Sequence, residues 1–166
     1  MLVTLSDGTK LLVRHVRPDD KTLIGDGWRR LSPDSQRGRF LVAKPSLTSR
    51  ELRYLTEVDG EKHVALVAVR ADDWRQLVGV ARFVRLAEDP QTAEVAITVY
   101  DEMQGRGVGG ALGDLIADEA RARGVKRFVA SILSDNVPAL RLMRRMAARL
   151  EHAENGVSDL VADLAA

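Results

Sequence analysis

Ala93-Glu-Val-Ala-Ile-Thr-Val99, followed five residues on by Gln104-Gly-Arg-Gly-Val-Gly-Gly110, is the stretch on which the reading of this chain turns. The first segment is an apolar run of strand length, and the second is a glycine cluster that opens a helix. Val108, Ala111, Leu112, Leu115 and Ile116 recur at helical spacing, Asp114, Asp118, Arg121 and Arg123 lie off that stripe, and Gly124 ends it. Glycines let successive backbone N–H groups approach an anion, and a helix N-terminus adds a partial positive charge there. A strand that runs through such a turn into a helix is architecture for holding a phosphate.

Three readings compete for the turn. Gly105, Gly107 and Gly110 satisfy G-x-G-x-x-G, the dinucleotide-binding fingerprint, but that fingerprint places its glycines directly after a first strand. Here Tyr100 to Met103 intervene, and the preceding strands read as antiparallel. A Walker-type loop requires Gly-Lys-Ser/Thr, which does not follow. Glycines that only make a turn are the plain alternative.

Working outward, 166 residues with 45% hydrophobic and 30% charged content suit one domain, residues 1–166, with a proper core. Twenty-five basic against 24 acidic residues leave a net charge of +1, so no global field attracts nucleic acid or an anionic membrane. Cysteine is absent, which removes disulfides, thiolate metal sites and a covalent cysteine intermediate. The start has no basic segment followed by a long apolar one, and no run approaches membrane-spanning length, so a cytoplasmic location is expected.

Asp7-Gly8 reads as a hairpin turn between strands near Val3–Leu5 and Lys10–Val16. Helices are predicted near Asp19–Arg30, from Ser32-Pro33, and from Thr48-Ser-Arg-Glu51, which has the form of a capping box. Val64–Val69, Gln76–Phe83 and Ala93–Val99 then form an antiparallel meander. After the glycine turn and its helix, Arg127–Leu133 must return parallel to its predecessor. Ser134-Asp-Asn136 caps a helix with Pro138 in its first turn and an inward stripe of Ala139, Met143, Met146 or Ala147, and Leu150. Asn155-Gly156 turns a last hairpin between Arg149–Glu154 and Val157–Leu164. The order predicts an α/β (α+β) domain, a mixed, mostly antiparallel sheet with helices on both faces.

With Gln104-Gly105-Arg106-Gly107-Val108-Gly109 in this setting, the chain resembles the GNAT superfamily of N-acetyltransferases, whose motif is an arginine or glutamine followed by Gly-x-Gly-x-Gly/Ala. The resemblance covers nearly the whole element order. It implies acetyl-CoA as cosubstrate with no metal, and its pyrophosphate on the backbone of Gln104, Gly105, Arg106, Gly107, Val108, Gly109 and Gly110. It also implies a sheet splayed between the fourth and fifth core strands, with the pantetheine in the gap beside Ile97 and Val99. The family's asparagine and alanine at the next helix correspond to Asn136 and Ala139, but its tyrosine falls on Met143 and its Gly-aromatic pair on Ala147-Ala148. Leu31–Phe40, then Leu52–Asp59 leading into His63–Val69, further resemble bacterial Pat-type protein lysine acetyltransferases, although the length leaves no room for the fused regulatory domain usual in those enzymes.

Amine acetylation needs a base. A lysine has a pKa of about 10.4, so roughly one in two thousand is nucleophilic at neutral pH, a deficit of about 4.6 kcal/mol. Glu94 is the candidate: the pleat puts Glu94, Ala96 and Thr98 on one face, and a carboxylate among small neighbours at a cleft wall is expected to be partly desolvated. The family also has a catalytic glutamate at the corresponding place, the alternative being a solvated strand-end charge. A backbone N–H near Val99 would polarise the thioester carbonyl. Met143 is expected to pack in the core, Ser134 is a weak substitute acid, and direct attack in a ternary complex follows.

His15, His63 and His152 read as separate structural residues. Trp28, Trp74, Arg39 and Phe40 fit either the acceptor pocket or the core, and Arg141, Arg144, Arg145 and Arg149 read as a solvated helix face. The acceptor is expected to be a protein lysine, with a small amine as the alternative, because Asp26 and Asp34 are outweighed by Lys21, Arg29, Arg30, Arg37 and Arg39. A non-catalytic acyl-CoA-binding domain is the remaining rival. The expected state is a monomer or homodimer.

Overall fold

A computed structural model describes residues 1–41 and 44–164. Strands β1 (Leu2–Thr4) and β2 (Lys10–His15) make the opening hairpin, followed by α1 (Lys21–Arg30), α2 (Pro33–Phe40) and α3 (Ser49–Thr56). The meander is β3 (His63–Arg70), β4 (Leu77–Arg85) and β5 (Thr92–Val99), and α4 (Val108–Ala122) follows the glycine turn. Then come β6 (Arg127–Leu133), α5 (Val137–Arg145), β7 (Arg149–Glu154) and β8 (Val157–Asp163). One sheet takes the order β1-β2-β3-β4-β5-β6-β8-β7, with only β5 and β6 parallel among its described pairs.

Local chemistry sets the boundaries. Thr48 Oγ1 accepts from the Glu51 N–H at 3.2 Å while Glu51 Oε2 accepts from the Thr48 N–H at 2.7 Å, the reciprocal cap expected for α3. The helix expected from Asp19 starts instead as a 3-10 turn over Pro18–Asp20. Asp20 causes this: it accepts from the Arg17 N–H at 2.7 Å and from both ends of the Arg14 guanidinium at 2.7 and 2.8 Å, which tightens the entry to α1. At the end of α5, Ala147 takes a φ of 60° and the Ala148 N–H donates to Met143 O at 2.9 Å. That termination corrects the expected stripe, because Leu150 falls on β7, 59% exposed.

The sheet carries a core on each face. On one, α4 and α5 pack Val108, Leu112, Ile116 and Met143 against Leu66, Val78, Phe83, Val95 and Phe128. On the other, α1 and α3 pack Ile24, Trp28 and Leu55 against Ala65, Val67, Val69 and Val80. Strand β3 is therefore covered on both sides, which is why Val64–Val69 reads as an unbroken apolar run. No described helix is long and apolar enough to cross a membrane.

Candidate active site in the sheet gap

Strands β5 and β6 pair at only three positions, Thr92 with Arg127, Ala93 with Phe128 and Glu94 with Val129. Beyond Glu94 they part, β5 continuing along β4 to Val99 opposite Gly79 and β6 along β8 to Leu133 opposite Val157. This is the splay between the fourth and fifth core strands that the resemblance implied. Its closed end is fixed by packing: Phe83 and Phe128, both fully buried, bring their ring centroids to 6.1 Å beside the small, fully buried Ala93.

The ladder decides which backbone groups face the gap. Tyr100 N–H donates to Val78 O at 3.0 Å. Bonding alternates along an antiparallel pair, so Thr98, Ala96 and Glu94 turn their peptide groups toward β4, while Val99, Ile97 and Val95 turn theirs toward β6, where pairing has ended. The expected donors, Ile97 and Val99, thus lie along the open part of the wedge. The Val99 carbonyl is already taken by the Gln104 amide at 3.0 Å.

A 3-10 turn, Asp101–Met103, carries the chain from β5 to the glycines. Gly105 and Gly107 take φ of 72° and 91°, where a side chain would be strained. Gly107 is the N-cap of α4 and brings no side-chain cap, so the N–H groups of Val108, Gly109 and Gly110 remain oriented donors. The Arg106 side chain points away, to Asp7 at 2.7 Å and Thr9 Oγ1 at 2.7 Å, so only its backbone belongs to the turn. Arg145 of the predicted basic face lies so close to Gly110 that a Cβ there would meet its guanidinium at 2.9 Å. Arg149 leaves that face: it sits on β7 and pairs with Asp163 at 2.8 Å.

Helix α2 spans the two lips of the gap, which the sequence did not reveal. On the β5 side, Asp101 accepts from the Ser32 N–H at 2.7 Å, from the Ser35 hydroxyl, and from the Gln104 amide at 3.1 Å. On the β6 side, Arg37 approaches Asp135 at 3.6 Å, and a Cβ on Gly38 would lie 2.8 Å from Asn136 Nδ2. Asn136 caps α5 by accepting from the Ala139 N–H at 3.3 Å. The predicted Asn136 and Ala139 therefore sit together on the lip opposite Val99.

Glu94 lies at the point where the strands part, on the α1–α3 side of the sheet. It is exposed, which corrects the expectation of a partly desolvated carboxylate: its small flanks do not cover it. The same side carries a cationic cluster. Arg82, 4% exposed, pairs in register with Ala65 and Ala96, and its Nη1 donates to Leu55 O at 3.3 Å and to His63 Nε2 at 3.0 Å. His63 stacks on Tyr54 with centroids 4.9 Å apart. Burial, then the Arg82 charge, lowers His63 to about 4. It is neutral at pH 7, and its Nε2 accepts the arginine proton. Burial also lowers the partly buried Arg39, against the opposing charges of Glu94 and Tyr54.

The remaining candidates divide cleanly. Trp28 is core, with its Nε1 donating to Lys44 O at 2.7 Å and its ring 5.2 Å from Phe40, whereas Trp74 is 69% exposed on the β3–β4 turn. Met143 is buried in the core. Ser134 bonds Ser158 on β8 at 2.7 Å. His15, on β2 beside β3, bonds Glu119 of α4 at 3.0 Å, and His152, on the far edge strand β7, bonds Glu154 at 3.3 Å, so neither bonds His63.

Comparison with known proteins gives concordant results. Residues 28–148 match the acetyltransferase (GNAT) family. Among curated relatives, an acetyltransferase of Pseudomonas aeruginosa is 32% identical over 66% of this chain and 59% of its own. Acetyltransferase Pat of Mycolicibacterium smegmatis is 36% identical over 66% of this chain and 32% of its own, so the matches span less than two thirds of either relative. The crystal structure of the GNAT domain of S. lividans PAT superposes with a TM-score of 0.91 at 30% identity, covering 98% of this chain and 96% of that one. A Salmonella typhimurium protein solved with its cofactor acetyl-CoA shares the fold, with a TM-score of 0.74 at 19% identity over 93% of this chain and 94% of that one.

Proposed function

The chain belongs to the GNAT family of acetyltransferases, and from that premise we propose that residues 1–166 transfer an acetyl group from acetyl-CoA to a protein lysine, with Glu94 as general base. The observation that carries this reading is the parting of β5 and β6 immediately after Glu94, directly behind a turn whose amides are free. A thioester held along the wedge has its acyl group within reach of that side of the sheet.

The residues fit acetyl-CoA. The backbone N–H groups from Gly105 to Gly110 and the start of α4 present an anion site for the pyrophosphate, with Arg145 beside them. Gap-facing N–H groups of Ile97 and Val99 bind the pantetheine amides and polarise the carbonyl, and Asn136 and Ala139 close the opposite lip. Acetyl-CoA supplies the activated acyl group. Glu94 takes one proton from the ammonium directly or through a water, the amine nitrogen bonds the carbonyl carbon, the carbon–sulfur bond breaks, and the nitrogen releases its second proton to solvent. The thiolate receives its proton from solvent, because Met143 is in the core and the buried Tyr100 phenol is pushed well above its ordinary value by desolvation.

A lysine on a protein is favoured because Glu94 is open to solvent on the side of the sheet that also carries Arg82, opposite Ala96, and Arg39, whose charge opposes that of Arg82. Polycationic small amines would be repelled there. The test is turnover of acetyl-CoA in a cell lysate with acetylated sites located by mass spectrometry. New lysine acetylation dependent on Glu94 is expected; acetylation confined to small amines would overturn the acceptor assignment.

A further inference from the structure

Arg82 is a buried guanidinium without an anion. Among the described residues no carboxylate lies within ion-pair distance of it, and its hydrogen bonds use Nη1 alone, to a carbonyl and a neutral imidazole. A second guanidinium, Arg39, opposes it electrostatically, so burial and a like charge both disfavour the Arg82 cation. Among the described residues no fully buried side-chain nitrogen lacks a partner, so Nε and Nη2 of Arg82, which have no partner, are not completely sealed from solvent. Alanines, Ala65 and Ala96, flank it on both neighbouring strands, so no bulky side chain is paired with it in register. An arginine fork held in this way matches a carboxylate.

Glu94 and Ala96 are two residues apart on β5, and Ala96 is directly opposite Arg82. The base and the fork are therefore offset along the strand by about 7 Å, the spacing of residues i and i+2 in an extended chain. We infer that Arg82 and Arg39 form a carboxylate subsite in the acceptor cleft, which selects lysines that have an acidic side chain two positions away in an extended segment. This rests on the reading of the Glu94 cleft as the acceptor site. The guanidinium pair orders the incoming peptide, and its carboxylate supplies the ion-pair partner that Arg82 lacks among the described residues.

The test uses the full chain, acetyl-CoA and peptides with a single lysine flanked by alanines, compared with versions carrying Glu at two positions or one position from the lysine on either side. A Glu at one of the two-residue positions is expected to raise kcat/KM at least about tenfold. Arg82→Met and Arg39→Gln should each bring the Glu-to-Ala ratio to within about twofold of unity while acetyl-CoA affinity remains; Arg39→Gln, at a partly buried position, keeps the test open should Arg82→Met fail to fold. Lysine acetylation with no preference for acid, or a preference that survives both substitutions, overturns the subsite and leaves the lysine reading standing. If no peptide turns over, free amino acids are compared with their amides: a carboxylate preference lost in the variants sustains the subsite and overturns the lysine acceptor, whereas no preference overturns both.

Discussion

Glu94 and His63 show how the same face assigns opposite roles to two titratable side chains. Glu94 is exposed at the fork of β5 and β6, where an ammonium can reach it from solvent. Replacement by Gln keeps the shape and removes the proton acceptor, so turnover should fall about 10²- to 10⁴-fold with acetyl-CoA affinity unchanged. Steady-state rates with a titration of acetyl-CoA binding check this, and near-normal turnover would end the assignment. His63 titrates in the folded protein at about 4 rather than 6.5, because burial and Arg82 disfavour its cation. Between those values the unfolded chain binds a proton that the folded chain refuses, so stability rises with pH across the window and is lost as pH falls from about 6.5 to about 4. Thermal melts from pH 4 to pH 7 should show a flatter profile for His63→Gln than for the parent chain. Glu94 was legible in the sequence through its strand position, but its exposure was not: small neighbours on a strand do not say whether a helix covers them. The Arg82–His63 contact spans 19 residues of sequence and has no local signal.

At the scale of elements, the glycine turn was the most legible part of the site because its conformation leaves a compositional mark. Gly105 and Gly107 have no heavy atom within 4 Å of a built Cβ, so they are glycines for their backbone angles and for the space they leave open. Gly107→Ala should therefore cost about 1–2 kcal/mol of stability through the left-handed conformation alone. If the open space is the pyrophosphate site, acetyl-CoA affinity should also fall at least about tenfold, as read by calorimetry, and a stability loss with unchanged affinity would move the pyrophosphate elsewhere. The closed end of the wedge makes a different demand. Phe83 and Phe128 meet beside Ala93, and that pair keeps β5 and β6 joined below Glu94. Phe128→Ala should destabilise by about 3–5 kcal/mol in denaturant unfolding. The boundary of α1 and the exit of α5 were misjudged for one reason: Asp20 and Ala147 end or delay helices through hydrogen bonds and backbone angles that periodicity does not encode.

For the molecule as a whole, the decisive arrangement is that α2 joins the two halves of a sheet that otherwise diverge. In the proposed reading the strands hold the cosubstrate and α1–α3 face the acceptor; α2 touches both lips of the gap, at Asp101 on one and at Asp135 and Asn136 on the other. The two attachments differ in strength. Arg37 and Asp135 form an exposed contact at 3.6 Å, worth well under about 1 kcal/mol, whereas Asp101 accepts from Ser32, Ser35 and Gln104 in a partly buried setting. Asp101 is thus the hinge pin between α2 and the glycine turn. Asp101→Ala should release α2 by about 2–3 kcal/mol, which accelerates hydrogen exchange of its amides by about 30- to 150-fold while those of α4 and β4 keep their protection. Since α2 also carries Arg39, the KM for acceptor should rise more than the KM for acetyl-CoA. Equal loss of protection in α2 and α4 would instead mean that Asp101 supports the whole wedge, and that the acceptor wall has no separate attachment.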